Sequence, residues 1–143
     1  MRKELYKALC DRLKSIGEIK HIDLWNRNVE FIEQEALWER PAVFVEICPI
    51  TWEPTVANKA MRGAGLVKLH IVTDWKGSAA DGSPYQDESL AVFDYSRKIQ
   101  SLIDGLTGEK FHSLHLAETH TNHDHEEIVE SIEVYKLRCV REI

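Results

Sequence analysis

The segment Leu66 to Trp75 sets the narrowest limits on the fold. Val67, Leu69 and Ile71 fall on one side of it, and Lys68 and His70 on the other. A side-chain period of two belongs to a strand with one packed face. The chain must therefore build a sheet and lay an apolar layer against it. Two stripes of helical period supply that layer. Leu5, Leu9, Leu13 and Ile16 recur at spacings of four, four and three and stop before Gly17, a residue suited to a helix end. Leu90, Phe93, Ile99, Leu102, Ile103 and Leu106 repeat the pattern, with Gly105 and Gly108 as its stop. The preceding Ser83-Pro84-Tyr85-Gln86 has the form of a capping box with proline at the first helical position.

Four further segments read as strands. Ile19 to Trp25 is short, with Ile22 and Leu24 alternating against polar residues. Ala42 to Ile47 is β-branched and mostly apolar, which suits a central strand. Phe111 to Leu116 and the final run from Ile128 complete the set, and the apolar parity of that run shifts after Val134, so a bulge is expected there. Between Asn26 and Arg40 the sequence fits a short strand and then a turn or helical turn, with Pro41 biasing Arg40 away from helix. The stretch CPITWEPTVANKAMRGAG carries Pro49, Pro54 and its glycines against regular pairing and reads as a long loop. The element order is helix, three strands, helix, two strands. It predicts one α+β domain over 1–143, a mainly antiparallel sheet of four to five strands packed by two helices.

Composition narrows the setting. A length of 143 residues suits one core, and 43% hydrophobic residues is too apolar for disorder. The net charge of −6 disfavours non-specific contact with nucleic acid or anionic lipid. Basic residues of the first helix (Arg2, Lys3, Lys7, Arg12, Lys14) interleave with Glu4 and Asp11, as on a solvated face. No run approaches the ~20 apolar residues of a membrane span, and MRKELYKALCDRLKSIGE lacks the apolar centre of a signal peptide. Cys10, Cys48 and Cys139 include no CxxC pair and read as small buried hydrophobes. Cytoplasmic folding is the expectation.

Candidate chemistry is sparse. His112, His115, His120, His123 and His125 lie close in sequence among carboxylates, and imidazoles at such density can hold zinc or nickel. His120, His123 and His125 could converge if the loop folded back, yet the spacing matches no established motif. The competing reading is a solvated hairpin loop. Arg62-Gly63-Ala64-Gly65 is a lone GxG without a following helix, a weak phosphate-loop signal that otherwise reads as a loop tip. Cys48, beside Pro49, suggests burial rather than an activated thiolate. Ser89 and Ser96 have no histidine at hand in sequence, and the pairs Glu33/Glu35 and Glu126/Glu127 lack an apolar frame to raise a carboxyl pKa. Trp38, Trp52 and Trp75 stand near strand ends, as core or as contact residues.

The sequence of phrases LYKALCDRL, RPAVFVEI, GLVKLHIVTDW, SPYQDESLAVFDYSRKIQSLIDGL, ETHTNHDHEE and VYKLRCV resembles the tail-terminator, or tail-completion, proteins of long-tailed bacteriophages and prophages. The resemblance spans nearly the whole chain and rests on element order and hydrophobic pattern. It implies a non-enzymatic virion assembly protein with no cofactor. Such a protein forms a homo-oligomeric ring, usually of six subunits, which caps the tail tube and joins it to the head through tail-tube and head–tail connector proteins. It implies assembly in the host cytoplasm and residence in the virion tail, with no sequence-specific nucleic acid or membrane partner. Trp52, Lys59, Arg62 and Trp75 become the candidate subunit or tube contacts, alongside exposed strand edges and the histidine-rich hinge. The alternatives are a metal-dependent enzyme or metal-binding protein using the histidines of 112–127, and a small cytosolic binding module using a groove between sheet and helices.

Overall fold

The structure, a computed structural model, describes residues 1–29, 38–55, 57, 59–122 and 125–142. In chain order its elements are α1 (Arg2–Leu13), β1 (His21–Leu24), β2 (Ala42–Ile47), β3 (Thr51–Pro54), β4 (Ala60–Asp74), α2 (Gln86–Ser89), α3 (Ala91–Ile103), β5 (Phe111–Asn122) and β6 (Ile128–Glu142). The fold class is α+β, with a six-stranded sheet ordered β1-β2-β4-β6-β5 and β3 added on β4. Among the described residues only the β1–β2 pairing is parallel.

One face of the sheet is covered by α1 and α3. Leu5, Leu9 and Leu13 of α1 and Val92, Ile99 and Ile103 of α3 are fully buried. They pack with Val43 and Val45 of β2, Val67, Leu69 and Ile71 of β4, and Tyr135, Leu137 and Cys139 of β6. The first helical stripe thus finds the strand face that the alternation of β4 demanded. The second does so in part: Ile99, Ile103 and Leu106 are buried, but Leu90 and Phe93 of that stripe are exposed and Val92, outside it, takes a core place. The Glu4 carboxylate ties α1 to the start of β5 by accepting the Lys110 N–H at 2.9 Å.

Several expectations need correction. The second helix is broken at Leu90 into α2 and α3. Its capping box does not form: Ser83 Oγ accepts the Tyr85 N–H, and the Gln86 side chain turns away to donate to the Ala79 carbonyl. The supposed loop 48–65 is largely a hairpin. β2 and β3 run in succession along the same edge of β4, and the register slips by one residue between them, from Ile47↔Val67 to Thr51↔Ala64. Pro49 sits at this slip, where its missing N–H removes nothing from the ladder. The sheet therefore has six strands, not four to five.

The expected bulge near Val134 is not in β6 itself, which pairs with β4 without a break from Ala60↔Glu142 to Asp74↔Ile128. The irregularity at that level is in its partner β5, between Leu116↔Tyr135 and Glu118↔Val134. The parity shift of β6 has another cause. Its first half is buried on the second face too, where Val29, Ala42, Phe44, Val72 and Ile128 form a small cluster with Trp25 and Trp38. The irregularities lie in β5, between His112 and His115 and between Leu116 and Glu118. The first lets Phe111 and Leu114, three residues apart, both reach the core. β5 extends to Asn122, so much of the histidine-rich hinge is strand. The uncertain segment 26–40 lies mostly outside the described residues, as do the pair Glu33/Glu35 and His123.

Candidate functional site

Glycine shapes the hairpin arm. A Cβ on Gly63 would lie 2.6 Å from Cys139 Sγ and 2.9 Å from Trp52 Cζ3, and one on Gly65 would lie 2.8 Å from the Pro49 carbonyl oxygen. Both glycines are strand residues that let β3 and its lead-in close over β4, which replaces the loop-tip reading. Trp52 is half-buried on this arm, with the Arg141 guanidinium 4.9 Å from its ring centroid. Lys59 and Arg62 are exposed on the same arm.

Trp75 follows the opposite end of β4. Fifteen strand residues at about 3.3 Å each place it roughly 45–50 Å from the arm's tip. The four residues expected as contacts do not share one surface: Trp52 shares the face of its partner Gly63, Arg62 takes the opposite face of the arm, and Trp75 lies at the far end. There Trp75 lines a cleft of ≈ 440 Å³ with Leu90, Phe93, His125 and Glu126 among others.

The histidines separate as well. Ser131 of β6 bonds Ser96 of α3, so the odd-numbered residues of β6 face the helices. His120 stands opposite Ile132 and hence on the other face, where its Nε2 lies 2.9 Å from Glu118 Oε2. His125 lines the cleft beside α2 and α3. Among the described residues no three His, Cys, Asp or Glu side chains converge on a point that could hold a metal ion.

The most developed polar arrangement went unnoticed in the sequence. His70, 4% exposed, lies on β4 between two carboxylates. Its Nδ1 is 2.8 Å from Glu130 Oε2, and its Nε2 is 2.7 Å from Glu46 Oε1. The Trp25 ring stacks on the imidazole at 3.7 Å between centroids with planes 1° apart. Two hydrogen bonds from one ring to two carboxylates require an imidazolium, or a neutral ring with one carboxyl protonated. Glu130 also accepts from Asn122 Nδ2 at 2.6 Å, which joins β4, β6 and the end of β5. The sequence signal was weak: one acid or histidine within each of three largely apolar runs, Glu46 in AVFVEI, His70 in KLHIV and Glu130 in IVESI. Glu46 and Trp25 also border a cleft of ≈ 480 Å³ with Tyr6 and Ile47, which His70 and Glu130 do not line. The trio ties strands together beneath an aromatic lid.

The thiols are quiet. Burial, and then the Glu46 carboxylate, raise the Cys48 pKa, and Cys48 Sγ is 3.8 Å from Glu46 Oε2. Burial likewise raises that of Cys139. Neither is poised as a nucleophile.

No family model matches the sequence, and no curated protein matches it. Among solved structures, the chain is similar to one from a structure described as "Virion of native gene transfer agent (GTA) particle". The TM-score is 0.57 at 9% sequence identity, covering 98% of this chain and 97% of the other. The likeness runs the full length of both chains, and what they share is the fold.

Proposed function

We propose that this chain is a non-enzymatic virion assembly protein, a tail terminator that caps a phage or prophage tail tube as a ring and joins it to the head. The end-to-end likeness to a chain of a gene transfer agent virion carries the reading, and the resemblance of element order in the sequence supports it independently. Its partners are further copies of itself, the tail-tube protein and head–tail connector proteins, met in the host cytoplasm. On this reading the arm bearing Trp52, Lys59 and Arg62 is one contact and the cleft bearing Trp75 a second. The scattered placement of His120 and His125 leaves the metal-enzyme alternative without a described constellation to rest on.

Deleting the gene in a strain that produces the particle tests this. The expected result is overlong tail tubes unattached to heads, restored to normal by the chain supplied in trans. Tails of normal length joined to heads in the deletion strain would refute the assignment.

A further inference from the structure

The face of the sheet away from the helices is uneven. Near β1 it is capped by Trp25, Val29 and Trp38, whereas toward the arm it is bare. On that bare part, Lys136 lies opposite Leu66 and Arg138 opposite Ala64, with Lys68 and Arg62 flanking them on β4. His115 and His112 of β5 stand beside Lys136 and Arg138. Arg62, Lys136 and Arg138 are exposed, Lys68 is half-exposed, and among the described residues none of the four is engaged in an ion pair. Leu66, 37% exposed, gives the patch an apolar centre. A chain of net charge −6 thus gathers cations on this surface, with Glu46 opposite Lys68 and Glu53 opposite Arg62 at its margin, Glu46 being hydrogen-bonded to His70.

The complement is on the same molecule. Around the cleft at the far end of β4, Trp75, Tyr85, Leu90 and Phe93 are exposed, Phe93 by 47%. Glu126 lines the same cleft, and the Glu127 carbonyl accepts the Trp75 N–H. Asp87, Glu88 and Asp94 lie within four residues of Leu90 along the chain, with Arg97 as a cation beside Phe93. The five carboxylates are exposed and, among the described residues, in no ion pair. An apolar centre with a charged rim is the anatomy of a protein interface, and the two surfaces have rims of opposite sign. Each repels a copy of itself, which disfavours a two-fold contact. They lie on opposite faces and at opposite ends of the sheet, so mating one with the other on a second copy gives head-to-tail assembly, the kind that closes rings.

We propose that the basic sheet face (Lys68, Lys136, Arg138 and Arg62 about Leu66) docks onto the acidic, aromatic cleft surface of a neighbouring copy of this chain. This deepens the ring reading above and rests on it. A polyanion such as DNA fits less well: among the described residues the basic face presents no tryptophan, tyrosine or phenylalanine for base stacking, and the rest of the chain is acidic.

Sedimentation of the full chain at low and high salt, with circular dichroism to verify folding, tests the contact. The wild type is expected to assemble at low salt, and less so at about 1 M salt, where charges are screened within about 3 Å. Lys136→Glu with Arg138→Glu, or Glu88→Lys with Glu126→Lys, should each weaken assembly at least about 100-fold, since like charges are then opposed. If a reversal unfolds the chain, Lys136→Gln with Arg138→Gln serves in its place. Mixing the two reversed chains brings an intact basic face to an intact acidic cleft and a reversed face to a reversed cleft, so assembly should return with the two chains alternating. Combining both reversals on one chain should restore assembly. A mixture that stays monomeric, or rings unaffected by any reversal, overturns the contact while leaving the terminator reading to the deletion strain. A wild type that stays monomeric at high concentration also overturns it. So does retention of a labelled DNA duplex that Lys136→Glu with Arg138→Glu abolishes while assembly persists.

Discussion

Replacing His70 with leucine should expose how the centre of the sheet is held. Glu130 is 2% exposed and keeps only its Asn122 contact once the imidazole is gone. Removing the ring leaves a buried carboxyl without its partner, which costs about 1–3 kcal/mol for a neutral group and about 3–5 kcal/mol for a charged one. Leucine is about as large as the lost ring, so little of this is cavity. Against a total stability of about 5–15 kcal/mol, the loss is large enough to shift a urea midpoint clearly. Tryptophan emission is an apt probe, since Trp25 lies on the imidazole. The discriminating variant is the double replacement of His70 and Glu130 by leucine. Apolar pairs often match or exceed buried ion pairs in stability, so the double variant should be more stable than His70→Leu by at least about 1 kcal/mol, with an unchanged denaturant slope. A His70→Leu loss below about 1 kcal/mol, or a double variant worse than the single, would show that the carboxylates do not depend on the ring.

Gly63→Ala should cost about 1–3 kcal/mol, the usual penalty of forcing a methyl into a packed site, because Cys139, Ile50 and Trp52 all lie within 3 Å of the new atom; an unchanged thermal midpoint would contradict the close packing of the arm. Tyr135 has a buried hydroxyl with no hydrogen-bond partner, and burial, then Glu133 and Asp104, raise its pKa. The unfolded phenol ionises near 10, so the contribution of Tyr135 to stability is intact below about pH 10 and is lost as pH rises above it. Tyr135→Phe should therefore be neutral or stabilising by up to about 1 kcal/mol at pH 7, with a shallower alkaline decline; a destabilised variant would point to a partner for the hydroxyl. Cys48 should alkylate more slowly in the native chain than in urea, and Glu46→Gln should speed it by removing a charge that holds the thiol protonated; equal rates in both proteins would refute the assigned cause.

What the sequence revealed followed from period. Leu5, Leu9 and Leu13 of the first stripe and Ile99 and Ile103 of the second pack on the alternating face of β4, because a side chain's direction follows from its place in the repeat. Leu90 and Phe93, read into the second stripe, lie at or just past the helix break and are exposed. What it concealed was long-range. Pro49, Pro54 and two glycines look like breakers, yet the glycines are there for close approach and Pro49 sits at a register slip. The β6 parity shift looks like a bulge, but it records a second covering layer at one end of the strand. His70 reads as a residue on the polar side of a strand, and only the pairing of β4 with β2 and β6 brings Glu46 and Glu130 to its two nitrogens.

The same asymmetry bears on which surfaces are free for assembly. Exposed strand edges were an attractive joint, since an unpaired edge invites a neighbour. The long edge is β5, and it is displaced twice from regular register. Bulges that twist an edge are a recognised protection against pairing. The other path end, β1, is four residues long and parallel to its partner. Neither offers a straight run of unpaired amides. The helices occupy one face and the Trp25–Trp38 layer half of the other. What remains uncommitted is the arm, the basic half-face beside it and the acidic cleft at the far end, none of which the core requires. In a chain whose core accounts for nearly every large buried side chain, those charges are the residues free to be selected for a partner.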